Sequence, residues 1–516
     1  MKKKILLVFL LALTILLYTG CNKCECDKCE ACPNCEIEEC AECEKCTECE
    51  VCNECLECEE CQKCEECICD DLSIIGVFSA NIGDELKFTS NKEGALFSSS
   101  NPEILDVKEN GEATCLKSGE VYVIATLNEK SAKALVKIDE EAKELKLGID
   151  LIDKYLYLFE GKRVGLITNQ SGVNSDYKYT IDVLNEKVNL VSLFAPEHGI
   201  RGNSAEGATI SDTFDSRTNL PIYSLYSGNQ KPTEKQMEEL DVLCFDIQDV
   251  GARFYTYIYT MSRAMEAAKQ YNKKFIVFDR PNPISASEVE GNILNMKYSS
   301  GIGLYPIVQR HGMTVGELAM MFNTEYNINC DLTVIKMENY DRSAYLDETS
   351  APWVNPSPNM PTVETAVVYP GTCIFEGTNL SVARGTTKPF QWIGGPYVDG
   401  EKWADILNSL DLPGVYFRPV WFTPTTSTNS GKLCSGVEVH VIDRAVFKAV
   451  LTGWAMFFTI RNLYPSQFTI QSSTINVNTG CDYISKNTYS LDELAEILVN
   501  DTLEFLKIRN KYLIYK

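Results

Sequence analysis

A chain of 516 residues is long enough for several domains, and a net charge of -24 offers no basic footprint for nucleic acid, so no nucleic-acid partner is expected. About half of that charge sits in one Cys/Glu-rich stretch near the N-terminus, so the acidity says little about what the rest binds. The three histidines, His198, His311 and His440, show no metal-ligand spacing, which argues against a zinc hydrolase; no metal site is expected.

Lys2-Lys3-Lys4 followed by the apolar run Ile5 to Leu17 reads as a signal peptide over residues 1–20, too short for a membrane span. Leu17-Tyr18-Thr19-Gly20-Cys21 resembles a bacterial lipobox, which implies that Cys21 is the lipidated first residue of the mature protein and its anchor to the membrane. The alternative is an ordinary cleaved signal, and either way an extracytoplasmic location is expected. Six of the 23 cysteines, Cys115, Cys244, Cys330, Cys373, Cys434 and Cys481, lie elsewhere; the others recur between Cys21 and Cys69, mostly every third residue, with Glu in most gaps. With almost no apolar residue to form a core, residues 21–70 are low-complexity. The Cys-x-x-Cys repeat lacks the folded knuckle of a zinc site, so the stretch reads as a stalk, with a metal-loaded or disulfide-rich tether as the alternative.

Residues 71–140 change texture. Strand candidates such as Glu85 to Thr89 and Val121 to Thr126 alternate between turn signals, which suggests a small all-β sandwich, and Asn110-Gly111 is a hairpin signal. The run Phe97 to Val107, with Asn110-Gly111 and Ser118-Gly119-Glu120, resembles the bacterial immunoglobulin-like group 2 domain; the resemblance implies a spacer or adhesion module.

From about Lys146 the pattern becomes α/β. Arg163 to Asn169, Val188 to Leu193, Val242 to Ile247 and Phe275 to Phe278 are apolar strand candidates, with helical patterns at Thr233 to Leu240 and Ile258 to Tyr271 between the later ones. Such alternation builds a parallel sheet, and loops at the carboxyl ends of its strands share one crevice. Three of these loops are polar: Phe194-Ala195-Pro196-Glu197-His198-Gly199-Ile200-Arg201-Gly202, Gln248-Asp249-Val250-Gly251-Ala252-Arg253-Phe254-Tyr255-Thr256-Tyr257 and Asp279-Arg280-Pro281-Asn282-Pro283. Glycine spacings for a dinucleotide, a phosphate loop or a serine nucleophile elbow are absent. Thr314 and Glu317 have capping-box spacing, so a helix should begin at Thr314, with Arg310 and His311 on the loop before it, suited to an anionic group; Glu317 reads as a cap only. Pro356 to Pro361 reads as a link between domains, and Cys434 to His440 as a loop entering a strand.

Six motifs stand in one order: Pro196-Glu197-His198-Gly199, Asp246 to Arg253, Asp279 to Pro283, Arg310-His311-Gly312-Met313-Thr314, Pro356-Ser357-Pro358-Asn359 and Phe375-Glu376-Gly377-Thr378-Asn379. Together they resemble the NamZ-type exo-β-N-acetylmuramidases, from about Leu147 to the C-terminus. Ala383-Arg384-Gly385 departs from the Gly-Arg-Gly more usual there but keeps the arginine. The resemblance implies a Rossmann-like catalytic domain (146–362), a smaller α+β auxiliary domain (363–516) and an active pocket between them. It also implies the reaction, release of terminal non-reducing N-acetylmuramic acid from peptidoglycan-derived muropeptides or disaccharides in cell-wall turnover, without a cofactor.

Hydrolysis of a glycosidic bond needs a carboxylic acid to protonate the leaving oxygen, usually with a second carboxylate nearby. Glu197 is the expected acid, with His198 to orient it or to bind substrate. Asp249 is placed with them in the catalytic set, although Asp249, Glu290 and Glu376 all stay open as the second carboxylate. Asp246 and Asp279 are as open to structural ion pairing, Asp279 with Arg280, as to chemistry. Arg253, Arg310 and Arg384 are candidates for the lactyl carboxylate of muramic acid, and Tyr255 and Tyr257 for stacking on the sugar. Arg201, Gln248, Asn282, Glu290, His311, Glu376 and Asn379 complete the expected substrate-binding set. Two alternatives remain: a glycosidase for another N-acetylated sugar, and a non-catalytic, lipid-anchored glycan-binding or adhesion surface protein.

Overall fold

The computed structural model describes residues 72–139, 144–201, 212–226 and 230–516; the expected signal peptide, Cys21 and the stalk lie outside the described residues. The chain divides into two compact units, one ending at Lys143 and one running from Glu144 to Lys516.

The first unit is β-rich. Ser79–Asn81, Lys130–Asp139, Gly119–Leu127 and Leu96–Ser99 lie side by side in one sheet, and Glu85–Lys87, Glu112–Cys115 and Leu105–Val107 in another. Period-2 alternation drives the packing: Val121, Val123 and Ala125 are buried while Tyr122 between them is exposed. Asn110-Gly111 does close a hairpin between Leu105–Val107 and Glu112–Cys115, with Gly111 at φ 85°. The expected strand Glu85 to Thr89 is broken. Phe88 is fully buried and donates its N–H to Gly111 O at 2.8 Å, and Thr89–Ser90 pairs instead with Ile74–Ile75.

The second unit is built on a seven-stranded sheet in the order Thr213–Phe214, Pro221–Ser224, Leu190–Ala195, Val164–Thr168, Val242–Asp246, Lys274–Phe278, Asp331–Ile335. All neighbours pair in parallel except Thr213–Phe214, an antiparallel edge. Every residue of Val164–Thr168 and of Val242–Asp246 is buried, as a parallel sheet covered on both faces demands, which is why these strands read as unbroken apolar runs. The first strand sits in the middle. The next strands add on one side and the later ones on the other, so the chain reverses between Val164–Thr168 and Val242–Asp246 and opens a crevice at their carboxyl ends.

Helix Val315–Glu325 starts where expected, with a capping box between Thr314 and Glu317. Glu317 is more than a cap: it is fully buried, pairs with Arg342 at 2.8 Å and accepts from Ile514 N–H at 3.0 Å. After the loop through Pro356 to Pro361 come helix Val363–Thr372 and a three-stranded antiparallel sheet ordered Trp392–Gly395, Cys434–Val441, Val415–Phe422. Cys434 to His440, expected to open as a loop, is strand from its first residue, because Cys434 pairs with Phe422 and is fully buried. Phe194 and Phe245 from the parallel sheet share one core with Phe375, Trp403 and Trp454 from the later part. Among the described residues no helix is long and apolar enough to cross a membrane.

Candidate active site

The strand Leu190–Ala195 runs into Pro196-Glu197-His198-Gly199. Gly199 N–H donates to Pro196 O at 3.1 Å and closes a tight turn whose third residue, His198, takes φ 71°. A positive φ at that position normally calls for Gly or Asn, and a histidine there costs on the order of 1 kcal/mol. The turn presents Glu197 and His198 at the carboxyl edge of the sheet. In the parallel register Ala195 faces Ser224, and Leu225 N–H donates to Ala195 O at 2.8 Å. Tyr226 and Glu197 thus each stand two residues past a paired position, and the Tyr226 hydroxyl donates to Glu197 Oε1 at 2.9 Å. Thr256, at the head of helix Tyr257–Gln270, donates its Oγ1 hydrogen to Glu197 Oε2 at 3.0 Å.

Glu197 and His198 open into a cavity of about 370 Å³. Phe254, Tyr255, Thr256 and Tyr257 line it from the loop after Val242–Asp246, Ser357 to Met360 from the connecting loop, and Tyr369, Cys373, Glu376, Arg384, Phe390 and Asn478 from the later part of the chain. The rings pack edge to face: Tyr255 on Tyr257 at 5.1 Å, Phe254 on Tyr369 at 5.1 Å and Tyr369 on Phe390 at 4.7 Å between centroids. Burial pushes the Tyr255 and Tyr257 hydroxyls well above their ordinary range, so both keep their protons. Tyr257 donates its own to Pro356 O at 2.6 Å and ties the connecting loop to the head of helix Tyr257–Gln270. In the same cavity Arg384 Nε donates to Glu376 Oε1 at 2.7 Å, and the guanidinium lies 5.0 Å from the Phe390 ring centre. The Cys373 thiol, held protonated by burial, donates to Glu376 Oε2 at 3.5 Å. Arg384 is carried on a left-handed turn, with Ala383 at φ 57° and Gly385 at φ 75°.

Two family models match in tandem, one described as Exo-beta-N-acetylmuramidase NamZ, N-terminal, over residues 164–364, and its C-terminal counterpart over residues 367–515. The peptidoglycan beta-N-acetylmuramidase NamZ of Bacillus subtilis (strain 168) is 48% identical over 379 residues, which cover 72% of this chain and 92% of that protein. The chain belongs to the NamZ exo-β-N-acetylmuramidase family. Two crystal structures of DUF1343 family proteins from Bacteroides fragilis NCTC 9343 share the fold, with TM-scores of 0.68 and 0.60 and identities of 36% and 33%; each comparison covers 72% of this chain and 99% of the other.

Of the residues expected from the NamZ motifs, Glu197, His198, Tyr257, Glu376 and Arg384 line the cavity together, and Tyr255 with them. The others lie outside its wall, held by structural partners. Asp249 is buried, its Oδ2 accepting from Gly251 N–H at 2.7 Å and lying 3.2 Å from His311 Nε2. His311 Nδ1 accepts from Met313 N–H, so Nε2 carries the hydrogen that it gives to Asp249. Gln248 donates to Asp249 O and Pro281 O, and Asn282 donates to Met313 O. Arg253, fully buried, donates to the carbonyl oxygens of Asn292, Ile307, Asn478 and Thr479 at 2.6 to 3.2 Å. Arg310 pairs with Glu290 at 2.9 Å in the interior, while Glu290 also accepts from Ala449 and Val450 N–H at the head of helix Ala449–Leu463. Arg201 pairs with Asp215 at 2.7 Å. Asn379 accepts from Tyr397 and from Thr469 N–H. Asp279 does not pair with Arg280: the guanidinium turns to Asp246, Nη2 to Oδ2 at 2.9 Å.

Among the described residues no three His, Cys, Asp or Glu side chains are grouped so as to hold a metal ion. Sequence reasoning missed Tyr226, Tyr369, Phe390 and Asn478 in the cavity wall. For Tyr226 a signal existed. Pro221-Ile222-Tyr223-Ser224 is a short strand with proline at its first position, where no ladder donor is lost, and recognising it would have set Tyr226 beside Glu197.

Proposed function

We propose that the cavity is the catalytic site of an exo-β-N-acetylmuramidase, a glycoside hydrolase that removes terminal non-reducing N-acetylmuramic acid from peptidoglycan fragments. The observation that carries the assignment is the presence in one cavity of Glu197 and of a second carboxylate, Glu376, bonded to an arginine. Two carboxyl groups are the usual equipment for glycosidic hydrolysis. A volume of about 370 Å³ is at the small end of ligand sites and suits one terminal sugar, as exo-action requires.

In this reading Glu197 is the general acid and gives its proton to the glycosidic oxygen as the bond to the sugar breaks. Its two hydroxyl partners suit that task, because a hydroxyl donates to a carboxylate and accepts from a carboxylic acid, so Tyr226 and Thr256 serve both protonation states. Glu376 is the second carboxylate. Arg384 meets the lactyl carboxylate, the group that distinguishes muramic acid from glucosamine, because of the three candidate arginines it is the one that lines the cavity, while Arg253 and Arg310 are fully buried outside its wall. His198 and the tyrosine rings orient the sugar. Lipidated Cys21, the stalk and the N-terminal β-rich region hold the enzyme on the outer face of the membrane, where cell-wall turnover supplies its substrate.

The test is turnover by the full chain of the p-nitrophenyl β-glycosides of N-acetylmuramic acid and of N-acetylglucosamine. Turnover confined to the muramic substrate is expected. Equal turnover of both would transfer the protein to a broader N-acetylhexosaminidase class, and binding of muropeptides without turnover of either would make it a glycan-binding surface protein.

A further inference from the structure

We propose that Tyr226 and Thr256 are positioning residues for the acid, a two-point clamp that holds the Glu197 carboxyl in the one orientation from which it reaches the glycosidic oxygen. The inference rests on the reading of Glu197 as the acid.

Three observations carry it. Both carboxyl oxygens are engaged, Oε1 by Tyr226 at 2.9 Å and Oε2 by Thr256 at 3.0 Å, so rotation of the group would break two bonds at once. The two donors come from different elements, one past the strand Pro221–Ser224 and one at the head of helix Tyr257–Gln270, so the clamp spans the crevice on either side of the turn that carries Glu197. Thr256 also forgoes its ordinary work. A threonine ahead of a helix normally adopts an extended backbone and accepts from a first-turn amide. Thr314 and Thr362 do so here, accepting from Glu317 and Thr365 N–H, and Ser490 accepts from Glu493 N–H. Thr256 instead has φ -69° and ψ -23°, makes no side-chain cap bond and gives its hydroxyl to Glu197. A cap diverted from its helix to a side chain across the crevice serves that side chain, not the helix. Holding an acid in one orientation acts on the chemical step and leaves substrate affinity alone.

The experiment measures kcat and KM of the full chain on a MurNAc–GlcNAc disaccharide for Tyr226→Phe, Thr256→Val, Thr256→Ser and Glu197→Gln, with the urea unfolding midpoint of each variant followed by tryptophan fluorescence. Tyr226→Phe and Thr256→Val should each lower kcat about 10-fold with KM within two-fold of the parent, whereas Thr256→Ser, which keeps the hydroxyl, should restore kcat to within two-fold. Wild-type kcat in both Tyr226→Phe and Thr256→Val beside an inactive Glu197→Gln would overturn the clamp while leaving the acid in place. A raised KM at unchanged kcat would overturn it too, by making the pair substrate contacts. Full activity of Glu197→Gln would remove the acid and the clamp together. If Tyr226→Phe does not fold, the contrast between Thr256→Val and Thr256→Ser decides.

Discussion

Asp279 offers a pH prediction that can be worked through from the structure. Burial pushes its carboxyl up to about 7, although Tyr515, Gly316 N–H and Thr314 donate to it, and the nearby Glu317 pushes the same way as burial. A carboxyl whose folded value is raised keeps a proton that the unfolded chain has lost. Its contribution to stability is therefore complete below about pH 4 and disappears as pH rises to about 7. A rise from the ordinary aspartate value of 3.8 to about 7 corresponds to up to about 4 kcal/mol. Asp279→Asn mimics the neutral acid: its oxygen can accept from Gly316 and Arg280 N–H, and its amide can donate to the hydroxyls of Tyr515 and Thr314. The two proteins should be nearly equal in stability at pH 4, and the variant should gain on the parent as pH rises, levelling off above pH 7. Urea titrations read by tryptophan fluorescence measure this in the second unit, since Trp353, Trp392, Trp403, Trp421 and Trp454 all lie there. A stability difference that stays flat from pH 4 to 8, or grows towards acid, would refute the reasoning.

Other predictions concern the arginines and the turn that carries one of them. Arg253→Met should lower stability by about 3 kcal/mol in the same titration, because it leaves four buried carbonyl oxygens without their donor. Arg384→Lys keeps the charge but loses the planar fork, so kcat/KM on a muramic glycoside should fall about 30-fold, a loss of about 2 kcal/mol, while any slow turnover of the glucosamine glycoside is unchanged. Ala383→Gly should leave the unfolding midpoint nearly unchanged, since relief of about 1 kcal/mol of left-handed strain is offset by loss of a buried methyl and by a looser unfolded chain. Ala383→Val, which places a branched side chain in that fully buried left-handed position, should cost more than about 2 kcal/mol.

The parallel sheet was legible because its central strands are buried on both faces and spell their presence as apolar runs, with polar loops at their carboxyl ends. The edge was not: Pro221–Ser224 is short and only partly buried and Thr213–Phe214 is short and exposed, so no run marks them, and Tyr226 went unseen with them. Glu197, His198, Glu376 and Arg384 were legible as a set, whereas Arg253 and Arg310 looked equally eligible on the page of sequence. What separates them is tertiary. Arg253 meets carbonyls as far away as Thr479, and Arg310 meets Glu290, which is itself fixed by helix Ala449–Leu463, and no local spacing encodes those partners. The same holds for Asp279 and Arg280, adjacent in sequence yet turned to different neighbours, Tyr515 and Asp246.

The central claim is that Glu197 protonates the leaving oxygen. Glu197→Gln should be measured on two substrates that share the muramic sugar, the MurNAc–GlcNAc disaccharide, whose leaving group needs a proton, and the p-nitrophenyl glycoside, whose leaving group does not. The account predicts a loss of about 1000-fold in kcat/KM on the disaccharide and a far smaller loss on the nitrophenyl glycoside. Equal losses on both substrates, or wild-type rates on the disaccharide, would contradict it.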